Sequence, residues 1–152
     1  MKDNQNSAIH NISDDDMLKL DNQLCFALYV SSREIIKKYK PYLDPLGLTY
    51  TAYITMLALW EEDNVTVKDL GKRLFLDSGT LTPLLKKLES KKLLIRERRL
   101  EDERNVFITL TNQGRLLKKE AANVPRQLMK NNFFDEEAAN DLLKMLHNYM
   151  KN

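Results

Sequence analysis

The chain's single thiol, Cys25, sits in the apolar run Leu24-Cys-Phe-Ala-Leu-Tyr-Val30. A thiolate can attack a peroxide, but no Lys, Arg or His lies within a helical turn of Cys25 to favour that form. On composition alone, Cys25 reads as an inert small hydrophobe. A second group of side chains offers binding chemistry. In Asp77-Ser-Gly-Thr-Leu-Thr-Pro83-Leu-Leu-Lys-Lys-Leu-Glu89, the residues Ser78, Thr80, Thr82, Lys86 and Lys87 can donate to phosphates and base edges. A third group is the cationic set Arg96, Arg98, Arg99 and Arg104. No Cys/His pairing is evident, because His10 and His147 lie near opposite ends of the chain. The residues before Cys25 also lack the Pro and Thr of a peroxiredoxin-type site. HExxH, CxxC and glycine-rich phosphate loops are missing too, so neither metal nor cofactor is expected.

The elements that must position these groups are mostly helical. Asp77 and Ser78 can cap a helix whose Leu81, Leu84, Leu85 and Leu88 mark a buried face. If that helix starts at Asp77 or Ser78, Pro83 lies beyond its first turn and should kink it; a start nearer Thr80 would tolerate it. Upstream, Lys68 to Phe75 reads as a shorter helix, and the two form a helix-turn-helix with Val67, Leu70, Leu74, Leu81 and Leu84 as shared core. Val65-Thr66-Val67 is either a brief strand or a cap. Thr49 or Thr51 caps an apolar helix running through Trp60, followed by the acidic loop Glu61 to Asn64. Downstream, Leu94 to Arg99 is extended, Leu100 to Arg104 is a charged turn, and Val106, Ile108 and Leu110 alternate with Phe107 and Thr109 as in a half-buried strand. A hairpin after a helix-turn-helix makes the winged variant.

Met17 to Lys40 reads as one helix, stopped by Pro41 and Pro45, and is apolar over most of its circumference. It should be wedged between neighbours, including a second subunit. Asn112 to Lys130 and Asp135 to Lys151 give two more helices, broken around Asn131 to Phe134. The expected fold is therefore mainly α with a small β-hairpin wing, the N- and C-terminal helices forming a dimer interface. Its expected division is an acidic, loosely ordered tail (1–16), a dimerisation and sensing helix (17–48), a winged helix-turn-helix (49–112) and C-terminal dimerisation helices (113–152), all in one domain.

Composition agrees with a binding role. The 152 residues are 43% hydrophobic and 30% charged, as in a soluble globular protein. The net charge is +2, but residues 25–132 hold 20 Lys and Arg against 13 Asp and Glu. A basic centre between acidic ends suits a polyanion. The longest apolar run is seven residues, against roughly 18 needed to cross a bilayer, so no membrane association is expected. The polar N-terminus resembles neither a secretory signal nor a transit peptide, and the expected location is the cytoplasm.

The order of elements, with Asp77 to Glu89 followed by Glu101-Asp-Glu-Arg104 and Leu110-Thr-Asn-Gln-Gly114, resembles the MarR family of winged-helix transcriptional regulators. The run Asn22 to Glu34 is similar to the organic-hydroperoxide-sensing, OhrR-like branch and to single-cysteine redox regulators of staphylococci. The resemblance covers about Leu20 to Val124. It implies a repressor that binds double-stranded DNA and releases it on peroxide stress, with Cys25 as the sensor. It also implies that tyrosines of a partner subunit, here Tyr39 and Tyr50, bond the reactive sulfur. Cys25 and Tyr39 stand 14 residues apart on one helix, about 21 Å, so such a contact must cross a dimer. Organic hydroperoxide would make a sulfenic acid, and a low-molecular-weight thiol would then form a mixed disulfide.

Within the DNA site, Asp77, Ser78, Thr80 and Thr82 are candidates for base or phosphate contacts, and Lys86 and Lys87 for phosphates. The resemblance assigns Arg104 to the minor groove, held by Asp102. Arg96, with Arg98 and Arg99, is a backbone contact or solvated charge. A homodimer would place two recognition helices about 34–36 Å apart on a pseudo-palindromic operator. The alternatives are a regulator responding to a small phenolic ligand, a winged helix used only for protein contacts, and a thiol peroxidase.

Overall fold

The computed structural model describes residues 13–100, 102–131 and 135–151, without the side chains of Asp102 and Glu103. The described residues fall into two compact units, one ending at Lys38 and the other beginning at Tyr39.

In the first unit the acidic tail mostly lies outside the described residues, but Ser13 caps a single helical turn, α1 (Asp14–Met17), and a 3-10 turn follows over Leu20–Asn22. The expected helix from Met17 is therefore corrected: α2 begins at Leu24 and runs to Leu43. Two side chains explain the interruption. Asn22 Nδ2 donates to the Asp16 carbonyl at 2.8 Å, and Gln23 Nε2 to that of Met17 at 2.6 Å, so side-chain amides take carbonyls that a continuous helix would use. Leu24, Phe26, Leu28 and Tyr29 are exposed, and so is Cys25.

The far end of α2 also departs from expectation. Pro41 does not stop it; the helix continues for two residues past the proline, to Leu43. Leu43 is only 2% exposed, and its burial favours the extra turn over an earlier break.

The second unit holds the core. Thr49 caps α3 (Tyr50–Glu61) by accepting the Ala52 amide. Both readings of Val65 to Val67 hold. Val65–Thr66 forms β1, paired with Ile108 and Phe107, and Thr66 also caps α4 (Val67–Leu74). After a tight turn, α5 spans Ser78–Ser90 with Asp77 as its cap. That start places Pro83 inside the helix, where it withholds one amide from the backbone ladder. Leu81, Leu85 and Leu88 of α5 are buried with Leu70 of α4 and Met56 and Leu59 of α3. Val67, Leu74 and Leu84, expected in the shared core, are partly buried against it.

The wing is β2 (Leu94–Arg99) and β3 (Asp102–Leu110), so the turn is shorter than Leu100 to Arg104; Glu101 lies outside the described residues. The three antiparallel strands run in the order β1-β3-β2. Leu94 faces Leu110, Arg96 faces Ile108, and Arg98 faces Val106, with an irregularity between Arg98 and Arg99. Since a strand alternates faces, the buried Leu94 fixes Arg96 and Arg98 on its own face.

Two long-range bonds anchor the start of the next helix, one to the residues just before β2 and one to α3. Thr111 caps α6 (Asn112–Ala121), donates to the Lys92 carbonyl at 2.6 Å, and brings Gly114 against Leu93. A Cβ at Gly114 would lie 2.0 Å from the Leu93 oxygen. The Trp60 indole N–H donates to the Gly114 carbonyl at 2.9 Å. The stretch Asn112 to Lys130 is two helices, α6 and α7 (Asn123–Lys130), and α8 spans Glu136–Met150. The expected break reaches Phe134, whose neighbourhood, 132–134, lies outside the described residues. Leu142, Leu143, Met145 and Tyr149 of α8 are exposed. Among the described residues, no helix is long and apolar enough to cross a membrane.

Candidate functional site

An open cleft of about 940 Å³ lies between α4, α5 and the wing. Of the residues singled out from sequence, Asp77, Ser78, Thr82, Arg96 and Arg104 line it. Thr80, Lys86 and Lys87 are exposed but are not among its lining residues. The side chain of Asp102 lies outside the described residues, and with it the expected support of Arg104.

Asp77 is occupied by the helix itself. Its Oδ1 accepts the Thr80 amide at 2.9 Å and its Oδ2 the Thr80 hydroxyl at 3.0 Å. The Thr80 amide, and then its hydroxyl, hold the Asp77 carboxyl below the usual carboxylate range. A charged cap suits the positive end of a helix, and it leaves Ser78 and Thr82 as the hydroxyls turned toward the cleft.

The arginines divide by partner. Arg96 is held by Glu89 of α5, whose carboxylate accepts the Arg96 amide at 2.9 Å and its Nε at 3.2 Å. That pairing braces the wing against α5. Arg99 lies over the Phe107 ring, 3.9 Å from its centroid, donates to Asn64, and stands 3.6 Å from Glu97. Arg98 and Arg104 remain exposed at the cleft, and no ion pair is described for either among the described residues. Sequence reading missed Lys68, Lys72 and Phe75, which line the same cleft. The i, i+4 spacing of the lysines on α4 was the available signal.

A third carboxylate holds the wing's base. Asp63 accepts the amides of Leu110 and Asn64, each at 2.8 Å, and the Arg115 guanidinium at 2.7 Å. Burial pushes this carboxyl upward, but the Leu110 amide, Arg115 and the Asn64 amide outweigh it and hold it below the usual range.

Away from the cleft, Tyr39 and Tyr50 come together, with ring centroids 5.0 Å apart in an edge-on arrangement, and Tyr53 lies 6.1 Å from Tyr39. Burial pushes the phenols of Tyr39 and Tyr50 above the ordinary tyrosine range, so both remain O–H donors at neutral pH. Among the described residues no cluster of three or more His, Cys, Asp or Glu could hold a metal ion.

Comparison with known proteins places this architecture. The family described as "Transcriptional regulator SarA/Rot" matches residues 37–121. An organic hydroperoxide resistance transcriptional regulator of Bacillus subtilis is 54% identical over 114 residues, 75% of this chain and 78% of that protein. The HTH-type transcriptional regulator SarZ of Staphylococcus aureus is 47% identical over 131 residues, 86% of this chain and 88% of that one. The structure of reduced AbfR bound to DNA, a protein of Staphylococcus epidermidis, superposes with a TM-score of 0.77 at 34% identity, covering 89% of this chain and 94% of that one. The chain therefore belongs to the SarA/Rot family of transcriptional regulators, built on the winged-helix fold that it shares with MarR regulators.

Proposed function

We propose that this chain is a dimeric transcriptional repressor that binds double-stranded DNA through the α4–α5–wing cleft and releases it when organic hydroperoxide oxidises Cys25. The observation that carries the DNA reading is the convergence in one cleft of Ser78 and Thr82 from α5 with Arg98 and Arg104 from the wing. Helix α5 enters the major groove, where the two hydroxyls meet base edges or phosphates. Lys86 and Lys87 meet the phosphates flanking it. Arg104 at the wing tip enters the minor groove, whose negative potential is deepest where it is narrow.

Residues 17–48 serve sensing and dimerisation, 49–112 hold DNA, and 113–152 complete the dimer. The exposed apolar side chains of α8 support the dimer, since a face of this kind is costly in a monomer. A two-fold dimer then reads a pseudo-palindrome.

The names of the relatives support the redox half of the proposal. The Cys25 thiolate attacks the peroxide ROOH. Sulfur gains one oxygen and loses two electrons, the O–O bond breaks, and ROH leaves after protonation. A small thiol R′SH then displaces water from the sulfenic acid to give Cys25–S–S–R′. Tyr39 and Tyr50, adjacent and protonated, act as donors to the sulfur of Cys25 in the partner subunit. Each subunit reacts once, which is signalling rather than turnover, and a regulator of genomic DNA works in the cytoplasm.

A gel-shift on the DNA upstream of the chain's own gene tests this, with wild type and Cys25→Ser, each with and without cumene hydroperoxide. Wild type should bind and be released, and Cys25→Ser should bind and stay. Release of Cys25→Ser by peroxide, or consumption of many peroxide equivalents per subunit, would overturn the sensing mechanism.

A further inference from the structure

The turn between α4 and α5 is closed by two bonds, Leu76 N–H to the Gly71 carbonyl at 3.0 Å and Phe75 N–H to that of Lys72 at 3.3 Å. This pairing requires a left-handed residue between helix and exit, and Phe75 fills that place at φ 55°. The same device follows α2, where Gly47 has φ 65°, and ends α5, where Lys92 has φ 60°. Glycine takes this backbone freely, whereas any residue with a Cβ is strained in it. Lys92 is an exposed, charged side chain that would not be buried in any case. Phe75 is apolar and yet the residue is 71% exposed, so core packing does not repay its backbone. A strained residue that gains nothing from packing marks a place selected for contact with something else.

Phe75 faces the cleft, sharing its lining with Ser78, Thr82, Arg98 and Arg104. The surrounding cations suit a polyanion, so the occupant that fits is duplex DNA. A phenyl ring makes no hydrogen bond to a base edge. The apolar group that a major groove offers it is the 5-methyl of thymine.

We propose that Phe75 is a base-reading residue whose ring packs on a thymine methyl beside the bases reached by Ser78 and Thr82. The inference rests on the DNA-binding reading above and assigns it a specificity element. Phosphate-binding cations position the duplex, and the ring sorts thymine from the other bases.

The test compares wild type, Phe75→Gly and Phe75→Asn on a short duplex from the upstream DNA, alongside versions in which single thymines are replaced by deoxyuridine. Gly and Asn both accept the left-handed backbone, so thermal stability should be unchanged or raised. Affinity for the unmodified duplex should fall roughly five- to tenfold. Wild type should lose a similar factor when one particular thymine in each half-site lacks its methyl, and the variants should be indifferent there. Unchanged affinity in the variants would overturn the proposal. So would a loss accompanied by no methyl-sensitive position, which would make the ring a sugar or backbone contact. Failure of wild type to bind the duplex would instead sink the DNA-binding reading itself.

Discussion

Tyr50 meets Tyr39 edge to face at 5.0 Å between centroids, joining the start of α3 to the last turns of α2. Both phenols are raised by burial, and this bears on pH as well as on sensing. A raised phenol favours the folded state fully below the unfolded tyrosine range, near about 10. That contribution is lost as pH rises through the folded values. Spectrophotometric titration should therefore show tyrosines ionising later than model phenols, and Tyr39→Phe should remove part of that late phase. On the proposed mechanism, Tyr39→Phe and Tyr50→Phe retain operator binding but slow Cys25 oxidation by about tenfold, the worth of one bond to a charged sulfur. Stopped-flow thiol loss measures it, and an unchanged rate would remove the tyrosines from the sensing site.

Gly114→Ala should be severely destabilising. Its Cβ would stand 2.0 Å from the Leu93 oxygen, so backbone must move in a part of the fold also fixed by Trp60 and Thr111. Overpacking of this kind costs about 1–3 kcal/mol or more, readable as a lowered midpoint in urea. A midpoint within error of wild type would show that the wing's base yields more easily than its bonding suggests.

Asp63→Asn tests the carboxylate that joins β3, the α3–β1 loop and α6. Loss of the charged acceptor should cost about 1–3 kcal/mol. The sign with pH is definite: a depressed carboxyl stabilises above its unfolded pKa and ceases to do so as pH falls through the folded value. Wild type should thus lose stability below about pH 4 more steeply than the Asn variant. Parallel acid limbs would assign the acid sensitivity to other groups.

Arg104→Ala should weaken operator binding by about 1–3 kcal/mol and lower the salt slope by about one. The loss should shrink when A·T pairs under the wing are replaced by G·C, since the narrow groove is what rewards the guanidinium. Arg96→Ala makes a useful contrast, because its partner is Glu89. It should act through the wing's placement, lowering stability along with affinity.

Much of this arrangement follows from local pattern. Asp77 was readable as a cap, Leu81, Leu85 and Leu88 as a buried stripe, and Leu94 to Arg99 as a strand, because each depends on near neighbours. Partners far along the chain left no such trace. Asp63 was read only as part of an acidic loop, yet it serves Leu110 and Arg115, 47 and 52 residues away. Pro41 was read as a stop because propensity weighs the lost amide and not the burial of Leu43 two residues on. Phe75 was counted as helix because nothing in its neighbours announces a left-handed backbone on an aromatic residue. The tyrosine pair was named only through family resemblance; its adjacency is a property of the fold.

The bond from Trp60 to Gly114 has an optical consequence. This is the chain's one tryptophan, and its indole N–H is fixed to a carbonyl 54 residues away, at the start of α6. Indole emission responds to the strength of that bond and to water reaching the ring. The protein thus carries a built-in fluorophore at the junction of α3, the wing's base and α6. Any shift of α6 against the winged helix, whether caused by DNA or by peroxide, should register as a change in intrinsic fluorescence, with no label attached.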